Sequence, residues 1–206
     1  MLHLPRLYAI VDPLDTGRNP VALAEALLAG GARCLQLRWK PAAPRDVLEA
    51  ARGIHPLARA AGALFFVNDR PDIAVLAGAD GVHLGQDDLP PAAARRVLGP
   101  GRVVGVSTHD LEQARQAVAA GADYVAVGPI YPTTSKAGAL PPRGLDLVRA
   151  ARPLVPCPLV AIGGIDATTA AGVIAAGADA VAMIGALART PDPAATVRGV
   201  LARLPT

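Results

Sequence analysis

Four times along the chain a helical segment ends at glycine and passes directly into a short apolar run: AGGARCLQLR from Ala29, AGADGVHLG from Ala77, AGADYVAVG from Ala120 and AGADAVAMIG from Ala176. A supersecondary unit repeated in this way constrains the fold more tightly than composition does. The glycine reads as a left-handed helix C-cap, and the small residues beside it let the next strand start close to the helix end. Further apolar runs at 7–11, 64–67, 103–106 and 159–162 bring the strands to eight. Helical patterns follow them at 20–30, 45–61, 71–77, 90–98, 110–120, 145–151, 167–176 and 192–204. Eight alternating units in 206 residues are the arithmetic of an α/β protein folded as one compact (β/α)8 TIM barrel, a single domain over residues 1–206. A doubly wound sheet needs fewer strands, and its dinucleotide-binding form carries GxGxxG in the first turn; here that turn is Asp12-Pro13-Leu14-Asp15.

Composition removes several function classes. No apolar run reaches the roughly 18–20 residues that a membrane span requires, and the opening MLHLPRLYAI lacks the apolar core of a secretory signal. A soluble, cytoplasmic protein with no membrane partner is expected. Cys34 and Cys157 stand apart, without the spacing of a zinc site or a disulfide framework, and read as buried small apolar residues. The net charge is only +3, aromatics are 3% of the chain and no basic run occurs, so nucleic acid is not an expected partner. Of twenty Lys and Arg residues eighteen are Arg; the lysines are Lys40 and Lys136, both in polar stretches after strands. Lys is a compact point charge that the planar guanidinium does not replace.

In such a barrel the chemistry sits on the loops that follow the strands. Asn68-Asp69 ends the third strand and Gly85-Gln86-Asp87-Asp88 the fourth, so two neighbouring parallel strands present carboxylates at one end. Asp69 and Asp88 suit a hard cation such as Mg2+, which takes one or two carboxylates and leaves its other positions to water and phosphate. The competing reading is that each acid caps a helix. Gln36 and Arg38, two apart after the second strand, point the same way, with Lys40 beyond them. Ser107-Thr108-His109 follows the fifth strand and a hydroxyl-rich loop from Gly128 to Gly138 the sixth. Cations, paired acids and hydroxyls describe a site for a Mg2+-bound pyrophosphate. Gly163-Gly164, ahead of a helix at Ala167, and Ile184-Gly185 offer backbone N–H groups where barrels of this kind hold a monophosphate.

The segments QLRWK, NDRPDIA, GADGVHLGQDD, GVSTH, GADYVAVGPIYPTTSKAG and VAIGGI, in this order from Gln36 onward, resemble the thiamine-phosphate synthase family. The resemblance implies a transferase that joins hydroxymethylpyrimidine pyrophosphate to a thiazole phosphate with loss of pyrophosphate. It implies that Gln36, Arg38, Lys40, Asn68, Ser107 and Lys136 bind the pyrimidine pyrophosphate, Ser107 and Lys136 being catalytic, and that Asp69 and Asp88 hold Mg2+. Thr133, Thr134 and Ser135 would hold the thiazole phosphate, with Gly164, Ile184 and Gly185 on its phosphate group. Two positions depart from the family pattern: Gly185 stands where Ser is usual, and Trp39 is not the expected residue between Arg38 and Lys40.

A thiazole tautomerase on the same barrel lacks the second acid of GQDD and carries a catalytic His where Pro129 stands. A non-catalytic ligand-binding regulator has no need of the full pyrophosphate apparatus, and another phosphate-binding isomerase has no need of paired metal acids. His83 reads as a hydrogen-bonded barrel residue, His109 as the start of a helix, and Arg70 and Asp87 as solvated neighbours of the metal acids. The loop 131–141 reads as a lid that closes on substrate.

Overall fold

The computed structural model describes residues 2–13, 17–135 and 140–205. Eight parallel strands, β1 (Leu7–Val11), β2 (Cys34–Leu37), β3 (Leu64–Asn68), β4 (Gly81–Leu84), β5 (Val103–Thr108), β6 (Tyr124–Val127), β7 (Leu159–Ile162) and β8 (Ala180–Met183), pair in chain order. β8 pairs back to β1, so the sheet closes as the TIM barrel that the repeats indicate. The outer layer comprises α1 (Pro20–Ala29), α2 (Pro44–Ala60), α3 (Pro71–Ala77), α4 (Pro91–Leu98), α5 (Leu111–Ala119), α6 (Gly144–Ala151), α7 (Ala170–Ala175), α8 (Gly185–Ala188) and α9 (Pro193–Leu201).

Strand alternation sorts the core into two layers. Ala9, Val11, Leu35, Leu37, Val125 and Val127 point outward into the apolar layer under the helices. Tyr8, Ile10, Cys34, Phe66, Tyr124 and Ala126 point inward and fill the barrel. The helices meet the outer layer along one stripe. In α2 it is Val47, Ala50, Ala51, Ile54 and Ala58, the spacing of one helical face. Asn19 caps α1 by accepting the N–H groups of Val21 and Ala22, with Pro20 as its first residue.

The repeats do two things at the N-terminal face of the barrel. Gly31, Gly78, Gly121 and Gly177 carry φ of 106°, 75°, 80° and 114°, the left-handed turn that ends each helix. The aspartates that follow were assigned no task from sequence, and they prove to be clips. Asp80, Asp123 and Asp179 accept the N–H of Phe65, Val104 and Leu159 at 2.8, 2.7 and 2.8 Å. Each aspartate's own N–H returns to the carbonyl of the same residue. One carboxylate thus fixes the start of a strand against its predecessor, on the face opposite the loops that follow the strands.

Three local expectations change. The seventh helix begins at Ala170, not Ala167, because Asp166 accepts the N–H groups of Thr168 and Thr169 in a separate turn. A short helix, α8, opens directly after β8 in addition to the expected helix at 192–204, and supplies the helix start expected at Ile184-Gly185. Cys34 is buried as expected, whereas Cys157 is only partly buried. No helix among the described residues is long and apolar enough to cross a membrane.

Candidate active site

A cavity of about 550 Å³ opens at the C-terminal ends of the strands. Gln36, Arg38, Lys40, Asn68, Asp69, Ser107, Thr133, Thr134, Ser135, Gly164, Ile184 and Gly185 all line it. Strand alternation is the reason: Gln36 in β2, Asn68 in β3 and Ser107 in β5 belong to the inward set, as does Arg38 just past the end of β2. Asp88 stands behind this lining and reaches the site through Asp69. Lys136 and part of the expected lid, residues 136–139, lie outside the described residues.

The acids do not cap helices. Arg70 and Pro90 occupy the cap positions of α3 and α4, neither with a side-chain capping bond. Asp88 instead closes its own turn by accepting the Gly85 N–H at 2.7 Å. Asp69 sits at φ 62°, the one non-glycine left-handed residue among those described. Such a conformation is more tolerable for Asp than for bulky residues, yet it stores strain of about 1 kcal/mol or more, typical of functional positions. The twist brings its carboxylate to Lys40 Nζ at 2.6 Å and into hydrogen-bonding reach of Asp88. Burial, and then Asp88, push the Asp69 carboxyl up to about 6 against the pull of Lys40. Burial works on Asp88 too, but the hydrogen bond from Asp69, the Gly85 N–H and the Lys40 charge hold it below the usual carboxylate range. Two carboxylates held this close, with burial working against the charge on each, are a donor set that fits a hard divalent cation. Among the described residues no group of three or more His, Cys, Asp or Glu side chains is placed to hold a metal ion.

Arg38 is positioned by a residue that motif reasoning passed over. Asp12, at the end of β1, pairs with the Arg38 guanidinium, and the two side chains are only 2% and 14% exposed. An acid directly after the first strand was the available signal. Arg70, expected to be solvated, is paired with Asp72. His83 fills its expected part as a hydrogen-bonded barrel residue, between Tyr124 at 2.9 Å and Ser107 at 2.8 Å. His109 lines the cavity, its Nδ1 2.8 Å from the Gly128 carbonyl.

Across the cavity Gly163 and Gly164 bring backbone to the lining, beside Thr133, Thr134 and Ser135. Gly163 and Gly164 have φ of 103° and 63°, and a Cβ on them would stand 2.5 Å from Pro129 Cβ and 2.4 Å from the Pro132 carbonyl oxygen. The pair is therefore required so that the loop after β6 can lie against the end of β7. It opens a turn, not the helix that sequence placed there. α8 does start at the rim, with Gly185 as its first residue, and the first N–H groups of a helix have no partner inside it. Arg189, at the far end of α8, also faces the cavity, within 3.5 Å of the Thr134 hydroxyl.

With this geometry in view, residues 7–187 match the family model described as thiamine monophosphate synthase. The chain belongs to that family. It is 48% identical over 194 residues to the thiamine-phosphate synthase of Chloroflexus aurantiacus, covering 94% of this chain and 89% of that protein. The thiamine-phosphate synthase of Moorella thermoacetica is 49% identical over 93% of this chain and 92% of its own length. Among solved structures, thiamine phosphate pyrophosphorylase from Pyrococcus furiosus superposes with a TM-score of 0.88 at 34% identity, covering 96% of this chain and 94% of that one.

Proposed function

We propose that the chain is a thiamine-phosphate synthase, a single domain over residues 1–206 acting in the cytoplasm. It joins hydroxymethylpyrimidine pyrophosphate to a thiazole phosphate, plain or carboxylated, and releases thiamine phosphate and pyrophosphate. The observation that carries this reading is the convergence of Arg38, Lys40, Asn68, Asp69 and Ser107 on one cavity, in a chain whose near full-length relatives bear that name.

The bond to break joins the pyrimidine's methylene carbon to a pyrophosphate oxygen. Its electron pair leaves with pyrophosphate while the aminopyrimidine ring releases electrons toward the methylene. Negative charge on the leaving oxygens grows toward the transition state, so donors fixed against them lower the barrier. Arg38, held by Asp12, offers a planar fork and Lys40 a point charge. Ser107 adds a hydroxyl, Asn68 an amide, and Lys136, on the family resemblance, a second ammonium. Asp69 and Asp88 would hold Mg2+, which when bound neutralises pyrophosphate charge. Thr133, Thr134 and Ser135 orient the thiazole, and Gly164, Ile184 and Gly185 receive its phosphate on backbone N–H groups. The thiazole nitrogen carries no proton when it forms the new C–N bond, so this step needs no general base.

The test is pyrophosphate release on mixing the protein with both substrates and Mg2+. The expected result is Mg2+-dependent release with thiamine phosphate formed, and neither in Asp88→Ala. Binding of either substrate without release refutes the reading.

A further inference from the structure

A line of buried polar groups crosses the barrel interior and surfaces at two residues of the site. Gln36 Nε2 donates to the Tyr8 hydroxyl at 2.8 Å, which lies 2.8 Å from the Tyr124 hydroxyl. That hydroxyl is 2.9 Å from His83 Nδ1, and His83 Nε2 is 2.8 Å from Ser107 Oγ. We propose that Tyr8, Tyr124 and His83 are positioning residues that bind the polarity of this chain together, so that Ser107 is held as a donor and the Gln36 carbonyl as an acceptor toward substrate.

Each phenol has one proton and sits between two partners, so it donates to one and accepts from the other. With His83 in its neutral form, only two arrangements satisfy every bond: all donating from Gln36 toward Ser107, or all reversed. The amide orientation selects the first. Tyr8 accepts from Gln36 and donates to Tyr124, and Tyr124 donates to His83 Nδ1. His83 then carries its proton on Nε2 and gives it to Ser107 Oγ, which leaves the serine's own proton to point into the cavity. An oxygen of a bound pyrophosphate has only lone pairs to offer, so it selects the same sense from the other end. Gln36, with its nitrogen committed to Tyr8, presents Oε1, the partner that an exocyclic amino group requires. A donor at Ser107 and an acceptor at Gln36 are thus one choice, made four hydrogen bonds apart.

The packing preserves the chain. Tyr8 and Tyr124 are each at most 1% exposed, and burial raises both phenols well above their ordinary range, so their protons stay in place. The Tyr124 ring is stacked on His83 and occupies the space where a Cβ on Gly105 would lie 1.9 Å from it. Gly105 is thereby tied to the chain, because any side chain there expels the ring.

The identity of the substrate rests on the proposed synthase reading; the sense of the chain does not. Imidazole 15N spectra of the free protein decide the sense, and the expected result is His83 protonated on Nε2. A wild-type His83 protonated on Nδ1 overturns the proposal, whatever the activity. An inactive protein with the Nε2–H tautomer refutes the synthase reading and leaves the chain standing. Tyr124→Phe keeps the ring and removes the link, so His83 becomes a mixture of tautomers, and KM for the pyrimidine pyrophosphate rises about tenfold with that for the thiazole phosphate unchanged. Tyr8→Phe gives a similar rise, and the double variant resembles the worse single one because a chain is cut only once. Single effects that multiply in the double variant refute the coupling.

Discussion

On the β2–β5 side of the cavity the polar lining is made of side chains: Arg38, Lys40, Asn68, Asp69 and Ser107, with Asp12 and Asp88 behind them. On the β6–β8 side Gly163, Gly164 and Gly185 bring backbone into reach, beside the uncharged hydroxyls of Thr133, Thr134 and Ser135. On the proposed reaction the division follows the charge that each half would meet. A pyrophosphate that departs with an electron pair gains charge during the reaction and calls for cations and a metal. A monophosphate that only anchors its substrate keeps its charge throughout, and fixed N–H dipoles suffice. The first half should therefore govern turnover and the second mainly affinity.

The largest expected effect lies at the acid pair. Asp69→Asn removes a carboxylate while keeping its shape and its left-handed preference, and kcat should fall by about 10²–10³-fold with the thiazole phosphate KM little changed. Withdrawal of Mg2+ by a chelator should mimic the substitution, and restoring Mg2+ should rescue the wild type alone. A variant that keeps its rate would move the metal elsewhere and erase the distinction between the halves.

Asp12→Ala comes next. It leaves the Arg38 guanidinium without its buried partner, and loss of one member of such a pair costs about 3 kcal/mol. For a domain of this size that corresponds to a fall in Tm of roughly 6–12 °C, read by calorimetry. A lower kcat should accompany it, since Arg38 then has no fixed direction. An unchanged melting curve would show that Arg38 is held from elsewhere.

Gly164→Ala tests the backbone half. The new Cβ meets the Pro132 carbonyl oxygen at 2.4 Å on a residue with φ 63°, so the loop after β6 must retreat. The left-handed conformation alone costs about 1–2 kcal/mol. The thiazole phosphate KM should rise about tenfold or more, with a smaller change for the pyrimidine pyrophosphate. Equal effects on both substrates would mean that the two halves are not separate.

The same division explains what could be read from the amino-acid sequence. The barrel was legible because its unit recurs: a left-handed glycine and an apolar run, four times over, leave few other folds. The side-chain half was legible too, since Gln36, Arg38, Asp69 and Ser107 announce themselves by residue type just after strands. Asp12 escaped because one acid in a turn has no pattern, and its meaning lies in an arginine on the next strand. The Tyr8–Tyr124–His83 line escaped for a related reason: the three residues are inward positions of three different strands, and only barrel closure brings them together. The backbone half was read only by rule. Helix starts were expected at both Gly163-Gly164 and Ile184-Gly185; the structure uses the first pair for close approach and opens a helix only at the second.

The smallest expected effect is at Gly185, where the chain departs from its family's usual serine. A Cβ there would lie 3.1 Å from Ser135 Oγ and 3.2 Å from Arg189 Nε, close enough that both must shift by a few tenths of an ångström. Gly185 has no left-handed backbone to protect, so Gly185→Ser carries no conformational penalty of that kind. If phosphate binding here belongs to the backbone, the added hydroxyl supplies one further hydrogen bond at the expense of crowding Arg189. The thiazole phosphate KM should then change by less than about fivefold while kcat holds. A tenfold or larger drop in KM would show instead that a hydroxyl belongs in the subsite. This half of the cavity would then depend on side chains as the other does, and the contrast between them would be one of charge alone.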